Sequence, residues 1–170
     1  MRLFISINFD EKTKENILAV QKRLRAMGKG RFTSPDNLHL TLAFLGEVAE
    51  ERIADLEAIM DSVDVPEIQL VFSEIGAFRN ESELWWIGIR QDEKLSQMQS
   101  ELIDKLKAAG FTPDSKRFKP HITLAREMHI GHVYRSDLLP KNFSCRASHI
   151  SLMLSHRPDG KLTYTELYRR

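Results

Sequence analysis

The segment His39-Leu40-Thr41-Leu42-Ala43 recurs later in the chain as His121-Ile122-Thr123-Leu124-Ala125. The two copies lie 82 residues apart, which is close to half of the 170-residue chain. Each copy follows a stretch with helical periodicity and then a polar loop, and each has the pattern of a short strand. The repeat therefore predicts two similar lobes, each of which contributes one strand to a shared cleft.

The sequence around the repeat predicts a mixture of strands and amphipathic helices. Asp10 is expected to cap the first helix, Gly28 and Gly110 are expected to end the first and third helices, and Gly46 is expected to close the first motif strand. Residues 29–37 and 115–120 are predicted as loops, and residues 79–82 and 157–160 as turns. The predicted strands cover residues 2–9, 38–44, 68–78, 84–90 and 121–126, the helices cover 10–27, 48–63 and 93–109, and a C-terminal hairpin pairs 144–155 with 161–168.

Within each motif, the alternation of a strand separates polar from apolar side chains. His39, Thr41 and Ala43 are expected on one face, and Leu40, Leu42 and Phe44 on the other, against a helix. The second copy repeats this division. If the lobes are related by an approximate twofold axis, two pairs of one histidine and one threonine face each other across the cleft.

Such an arrangement suits the cleavage of a phosphodiester, in which an attacking water loses a proton and a leaving oxygen gains one. Histidine serves either role because its ordinary pKa lies near 6.5. Threonine hydroxyls can donate hydrogen bonds to phosphoryl oxygens where negative charge develops. A single His-x-Thr-Leu segment is more often an ordinary half-buried strand. Two copies at half-chain spacing favour a functional interpretation, which still needs its structural context.

The paired motifs resemble those of the two-histidine phosphoesterase superfamily, and the resemblance runs nearly end to end. The start at residues 2–7, the extension Ala43-Phe44-Leu45-Gly46 and the segment Leu124-Ala125-Arg126 resemble its RNA 2′,3′-cyclic phosphodiesterase branch, formerly called 2′-5′ RNA ligase. The resemblance implies one bilobal α+β domain spanning residues 1–170, with two pseudo-symmetric lobes whose antiparallel sheets line a central cleft and whose helices lie outside.

The resemblance also implies hydrolysis of RNA 2′,3′-cyclic phosphate termini to 2′-phosphomonoesters, with no metal and no cofactor. His39 is then the proton donor to the leaving 3′ oxygen, and His121 is the proton acceptor that activates water. Thr41 and Thr123 are carried over as phosphate-binding residues, and Arg126 as a third. Because Arg126 lies five positions after His121, it points away from the cleft in a regular strand and reaches the phosphate only if the strand ends, bends or bulges.

Composition narrows the remaining classes of function. Lys and Arg total 25 against 24 for Asp and Glu, so the chain lacks the basic excess of proteins that coat nucleic acids. Its single cysteine, Cys145, allows neither an intramolecular disulfide nor a cysteine-based zinc site. The start of the chain lacks the features of a signal peptide, and we expect a cytoplasmic monomer that binds no membrane and acts on RNA ends or cyclic nucleotides.

Further residues have both a functional and a structural interpretation. The pair His129 and His132 could bind a metal, but without acidic ligands nearby a surface segment is the better interpretation. Basic residues before each motif could hold RNA backbone, although a solvated loop is the commoner role for any one of them: Lys29, Arg31, Lys116, Arg117 and Lys119. Five aromatic residues could stack on a terminal base, although most are expected in the core: Phe9, Phe44, Phe118, Trp85 and Trp86.

Alternative functions remain open at the level of sequence. A 2′-5′ RNA ligase shares its transition state with the hydrolase, so the residues do not separate the two. A non-catalytic module that binds RNA ends is disfavoured, since plain phosphate binding is better served by arginine or lysine than by two complete histidine motifs. A metal-dependent hydrolase is distinguished by its sensitivity to EDTA.

Overall fold

The computed structural model describes residues 1–79, 82–114 and 116–170. Asn80 and Glu81 of the predicted turn, and Ser115 of the predicted basic loop, lie outside the described residues. In chain order the elements are β1 (Arg2–Asn8), α1 (Glu11–Met27), β2 (Gly28–Phe32), β3 (His39–Glu47), α2 (Ile53–Ser62), β4 (Ile68–Arg79), β5 (Glu83–Ile89), α3 (Glu93–Ala108), β6 (His121–Ile130), α4 (Arg135–Leu138), β7 (Phe143–Ala147), β8 (Ser151–His156) and β9 (Thr163–Arg169).

The strands form two antiparallel sheets, one for each lobe. The first sheet has the order β3-β1-β8-β9, and the second has the order β2-β6-β5-β4-β7. The two motif strands, β3 and β6, belong to different sheets and contact each other where the lobes meet. Helix α1 packs outside the second sheet, against β6 and β7, and α3 packs outside the first, against β3. The predicted α+β bilobal fold with a central cleft is therefore confirmed.

The internal repeat extends beyond the motifs to whole elements. Helices α1 and α3 begin at Glu11 and Glu93, with the same 82-residue offset as the two histidines. Asp10 accepts a hydrogen bond from the Thr13 amide at 2.8 Å, and Asp92 accepts one from the Leu95 amide at 2.9 Å. These side chains satisfy amide groups that the first helical turn leaves without partners. In each half, a helix precedes the motif strand, as the sequence predicts.

A continuous apolar core joins the two lobes. One face of β1 supplies Leu3, Ile5 and Ile7, and the helices supply residues at helical spacing such as Leu24 and Leu102, all of them almost fully buried. Burial of one such side chain contributes roughly 1.5–3 kcal/mol to folding. Because this core occupies the outer faces of the sheets, it leaves their inner faces to line the cleft.

Strand β2 corrects the prediction of a loop at residues 29–37. Helix α1 does end at Met27, but Gly28 has extended backbone and starts β2, which pairs with β6. A β carbon at Gly28 would lie 2.6 Å from the His129 carbonyl oxygen, and one at Gly30 would overlap the Met128 sulfur. The sequence of β2 has little intrinsic strand propensity, so its conformation depends on pairing with a strand almost 100 residues away.

Other boundaries also differ from the predictions. Helix α2 starts at Ile53, because a single 3₁₀ turn precedes it, and β3 continues through Gly46, which adopts a positive φ of 68°. The predicted strand 144–155 is wrong as one element. It divides into β7, at the edge of the second sheet, and β8, which lies in the first sheet and pairs with β9. Periodicity does not reveal such a crossing, since both pieces have strand character.

Candidate active site

The two motif histidines have the same local geometry. His39 Nδ1 lies 2.7 Å from the carbonyl oxygen of Asn37, and His121 Nδ1 lies 2.6 Å from the carbonyl oxygen of Lys119. Since a carbonyl only accepts, each Nδ1 carries the proton and donates it. Each histidine is thereby fixed by the residue two positions before it, and Nε2 is the nitrogen left free to exchange a proton.

Aromatic rings support both imidazoles. The Phe4 ring lies 4.8 Å from the His39 ring, and the Tyr164 ring meets the His39 ring edge-on at 5.2 Å. His121 has an edge-on contact at 5.2 Å with Phe78 and one at 6.0 Å with Trp86. No local pattern points to Phe4 or Tyr164, because they lie on β1 and β9 and contact His39 through the pairing of the strands in the first sheet.

The threonines of the motifs lie on the same strand face as the histidines. Thr41 Oγ1 lies 3.0 Å from His39 Nε2. Since Thr41 and Thr123 occupy the positions two residues after the histidines, both lie on the cleft face of their strands, as the alternation predicts. Both are half-buried, so their hydroxyls are within reach of the cleft.

A β-bulge interrupts each motif strand at the same position. Ser6 pairs with Thr41 and Ile5 with Ala43, so Leu42 is an extra residue in β3. Trp86 pairs with Thr123 and Trp85 with Ala125, so Leu124 is the corresponding extra residue in β6. After such a bulge, the alternation of the side chains is reversed. The predicted division of side chains between the two strand faces is therefore correct only for the residues before each bulge.

The first bulge corrects the predicted positions of Ala43 and Phe44. Ala43 pairs with the core residue Ile5 and is buried, instead of lying beside His39 and Thr41. Phe44 pairs with Phe4, which contacts His39, so it lies on the cleft face and not against a helix. Phe44 is 36% exposed. Of the five aromatic residues considered for base stacking, Phe9, Trp85 and Trp86 are buried.

The second bulge turns Arg126 to the cleft face. A bulge is one of the features that Arg126 needs in order to reach a phosphate bound in the cleft. Glu127, the next residue, has a positive φ of 54° and bends the strand again. Burial is the main cause of the lowered pKa of His39 and of His121, and the positive charge of Arg126 adds to the shift at both histidines. Within the described ranges, Arg126 has no carboxylate within ion-pair distance.

The surroundings of both histidines favour the neutral imidazole over the charged imidazolium. The pKa of His39 is lowered to about 4, chiefly because burial disfavours the charged imidazolium; the hydrogen bond to Asn37 opposes this shift, and the charges of His121 and Arg126 add to it. The pKa of His121 is also lowered, first by burial and then by the charges of Lys119 and Arg126, while the hydrogen bond to the Lys119 carbonyl opposes the shift. An anion bound between the rings would reverse part of this effect.

Most of the other candidates lie outside this arrangement. Arg31 pairs with Glu127 at 2.9 Å and Lys116 with Asp114 at 3.8 Å, whereas the Lys119 ammonium lies 4.2 Å from the centre of the Trp86 ring. His129 and His132 are exposed. In the described part of the chain, no group of three or more metal-ligating side chains comes together, and no helix is long and apolar enough to cross a membrane.

Comparison with known proteins agrees with the repeated architecture. The family described as LigT like phosphoesterase matches residues 7–86 and again residues 87–162, so each half of the chain carries one copy of the pattern. The chain belongs to the LigT-like phosphoesterase family. The two matched segments each contain one of the bulged motif strands.

Members of the LigT-like phosphoesterase family resemble this chain over most of its length. The RNA 2′,3′-cyclic phosphodiesterase of Escherichia coli K12 is 30% identical over 172 residues, covering 99% of this chain and 94% of the relative. That of Archaeoglobus fulgidus is 35% identical over 128 residues, covering 74% of this chain and 72% of the relative. The crystal structure of Escherichia coli LigT complexed with 3′-AMP superposes with a TM-score of 0.88 at 30% identity, covering 99% of this chain and 96% of that one.

Proposed function

We propose that the protein hydrolyses RNA 2′,3′-cyclic phosphate ends to 2′-phosphomonoesters by metal-independent acid–base catalysis, with residues 1–170 acting as one bilobal unit. The observation that carries the proposal is the matched geometry of His39 and His121, each with Nδ1 fixed by a backbone carbonyl and Nε2 available for proton transfer. The names of the relatives, and the nucleotide bound to the similar LigT structure, support an RNA end as the substrate.

In the proposed reaction, water attacks the phosphorus while His121 Nε2 takes its proton. The bond between phosphorus and the 3′ oxygen breaks, and His39 Nε2 gives its proton to that oxygen. The products are a 2′-phosphate and a free 3′-hydroxyl. His39 ends neutral and His121 ends protonated, so proton exchange with solvent restores the starting state. Both proton transfers are thereby supplied by side chains.

The remaining residues are assigned by the charge and shape of the substrate. Thr41, Thr123 and Arg126 donate hydrogen bonds to the phosphoryl oxygens, where negative charge increases in the transition state. Phe44 offers an exposed ring on the cleft face to the terminal base. A substrate phosphate between the imidazoles raises both pKa values, which favours the protonated state that His39 needs as an acid.

The first test uses adenosine 2′,3′-cyclic phosphate and an oligoribonucleotide with the same terminus, each with and without EDTA. We expect turnover that EDTA does not reduce, with adenosine 2′-phosphate as the mononucleotide product, because cleavage at the 3′ oxygen leaves phosphate on the 2′ oxygen. Chromatography against authentic 2′- and 3′-phosphates identifies the product. Loss of activity in EDTA would indicate a metal-dependent enzyme, and joining to an added 5′-hydroxyl RNA would reveal the reverse, ligase direction.

The pH dependence offers a second test. We expect both limbs of the kcat/KM profile to lie below pH 6.5, because kcat/KM reports the free enzyme and its two histidines have lowered pKa values. The limbs belong to the coupled pair rather than to single residues. The kcat profile, which reports the complex, is expected at higher pH, because the bound anion raises both pKa values.

Profiles of the wild type and of His132→Gln, which alters an exposed histidine, are measured side by side. The control variant is expected to retain both profiles. Superimposable kcat and kcat/KM profiles, or limbs at or above pH 6.5 in kcat/KM, would contradict the assignment of His39 and His121, provided that the absence of a pre-steady-state burst excludes limiting product release.

A further inference from the structure

A glutamine from the outer helix layer contacts each of the two β-bulges. Gln21 of α1 donates from Nε2 to the carbonyl oxygen of Leu124 at 3.0 Å, and also to that of Thr33 at 2.8 Å. Gln99 of α3 donates from Nε2 to the carbonyl oxygen of Leu42 at 3.1 Å. Leu42 and Leu124 are the extra residues of the bulges, so the two side chains bind corresponding carbonyl groups.

Each glutamine contacts the motif strand of the opposite half of the repeat. Gln21 belongs to the first half and contacts the second motif strand, and Gln99 belongs to the second half and contacts the first. The two glutamines lie 78 residues apart, whereas the helices and motifs are offset by 82, so they stand on different helical turns. Two non-equivalent positions thus provide the same contact, which argues against a mere remnant of duplication.

The energetic reason for these contacts lies in the burial of the bulges. Leu42 and Leu124 are buried, and a buried carbonyl without a donor costs about 1–3 kcal/mol. Gln21 itself is 5% exposed, so its amide is committed to Thr33 and Leu124. If the motif strands were paired regularly, without bulges, Phe44 and Arg126 would lie on the face opposite the histidines, because side chains alternate with a period of two.

We propose that Gln21 and Gln99 are positioning residues, which hold the two bulges so that Arg126 and Phe44 enter the cleft. This inference rests on the proposed function, in which Arg126 binds the phosphate and Phe44 stacks on the base. Gln21 acts on Arg126 through Leu124, and Gln99 acts on Phe44 through Leu42. Neither glutamine touches the substrate.

The test is a crossed set of double-mutant cycles on adenosine 2′,3′-cyclic phosphate, with Gln21→Met, Gln99→Met, Arg126→Gln and Phe44→Ala. Methionine retains the length and shape of glutamine without its donor. We expect Gln21→Met to lower kcat/KM by about ten- to hundredfold, the cost typical of a 1 Å misplacement. Added to Arg126→Gln, it should cost almost nothing more, because the displaced group is already absent, whereas its effect should multiply with that of Phe44→Ala.

Gln99→Met should show the opposite pattern, with no further loss beside Phe44→Ala and a multiplied loss beside Arg126→Gln. Gln97→Met is the matched control, since Gln97 lies on the same helix, is exposed and donates from its side chain to Glu93. Thermal unfolding confirms that each variant is folded at the assay temperature. If Gln21→Met does not fold, the Gln99 cycle with its half-buried glutamine decides the question.

If the two glutamines only stabilise the fold, the losses of kcat/KM should multiply in every pair of substitutions. That result would overturn the inference. The same double-mutant cycles are repeated with the Kd of adenosine 2′-phosphate, measured by titration, in place of kcat/KM. If the wild type turns over no cyclic phosphate, the proposed function fails, and the binding cycles still report whether the glutamines act through Arg126 and Phe44. Strictly multiplied losses, in turnover or in binding, reject the positioning role, and the proposed function stays intact as long as the wild type turns over the cyclic phosphate.

Discussion

His39→Ala and His121→Ala are each expected to lower kcat by about a thousandfold, within the usual range of 10²–10⁴ for a positioned acid or base. Neither substitution removes an apolar core residue, so thermal unfolding should change little by comparison. His132→Ala, which removes an exposed imidazole, should retain wild-type kcat. Near-normal turnover by either motif variant would rule out its role in proton transfer.

The two roles are separated by the leaving group of the substrate. Bis(4-nitrophenyl) phosphate releases 4-nitrophenolate, which needs no proton, so the loss caused by His39→Ala should shrink on this substrate. The loss caused by His121→Ala should persist, because water must still be deprotonated. Equal losses on both substrates would contradict the assignment of His39 as acid and His121 as base.

The double variant provides an internal check. His39 and His121 act on one transition state, and residues that act as a unit give strongly non-additive losses. His39→Ala combined with His121→Ala is therefore expected to be about as slow as the slower single variant. A product of the two single losses would indicate that the histidines contribute independently, for example to binding rather than to one concerted proton exchange.

Thr41→Val and Thr123→Val are each expected to lower kcat by about a hundredfold, the usual cost of removing one donor to a developing charge. Valine retains the branched shape of threonine but not its hydroxyl, and serine retains the hydroxyl without the methyl group. The serine variants should therefore recover most of the rate. KM should change less than kcat, because the hydrogen bonds strengthen in the transition state.

The two threonines should differ in their effect on pH dependence. The Thr41 hydroxyl contacts His39 Nε2, so Thr41→Val should also shift the limbs of the kcat/KM profile that report the coupled pair. Thr165→Val, on β9, is the control; its hydroxyl bonds to His156 and not to a motif histidine. If valine and serine variants were equally impaired, packing rather than hydrogen bonding would explain the loss, and the phosphate-binding role would be wrong.

The sequence predicted the elements that have a strong local signal. Asp10 caps a helix, and the helix that begins at Glu93 ends near Gly110, as periodicity and capping indicate. The repeated His-x-Thr segments predicted one strand in each lobe, and they lie in different sheets. Strand β2 and the crossing from β7 to β8 escaped prediction, because each depends on a partner strand that is distant in the chain.

The sequence by itself determined which residues are proposed to carry the chemistry, namely two imidazoles and two hydroxyls repeated at half-chain spacing, because residue type and alternation are local properties. Only the tertiary structure decided where the alternation breaks. The bulges at Leu42 and Leu124 reverse the faces of Phe44 and Arg126, and they are held by Gln21 and Gln99 from helices of the opposite half. A bulge is a property of two paired strands and of what packs on them, so no single stretch of sequence encodes it.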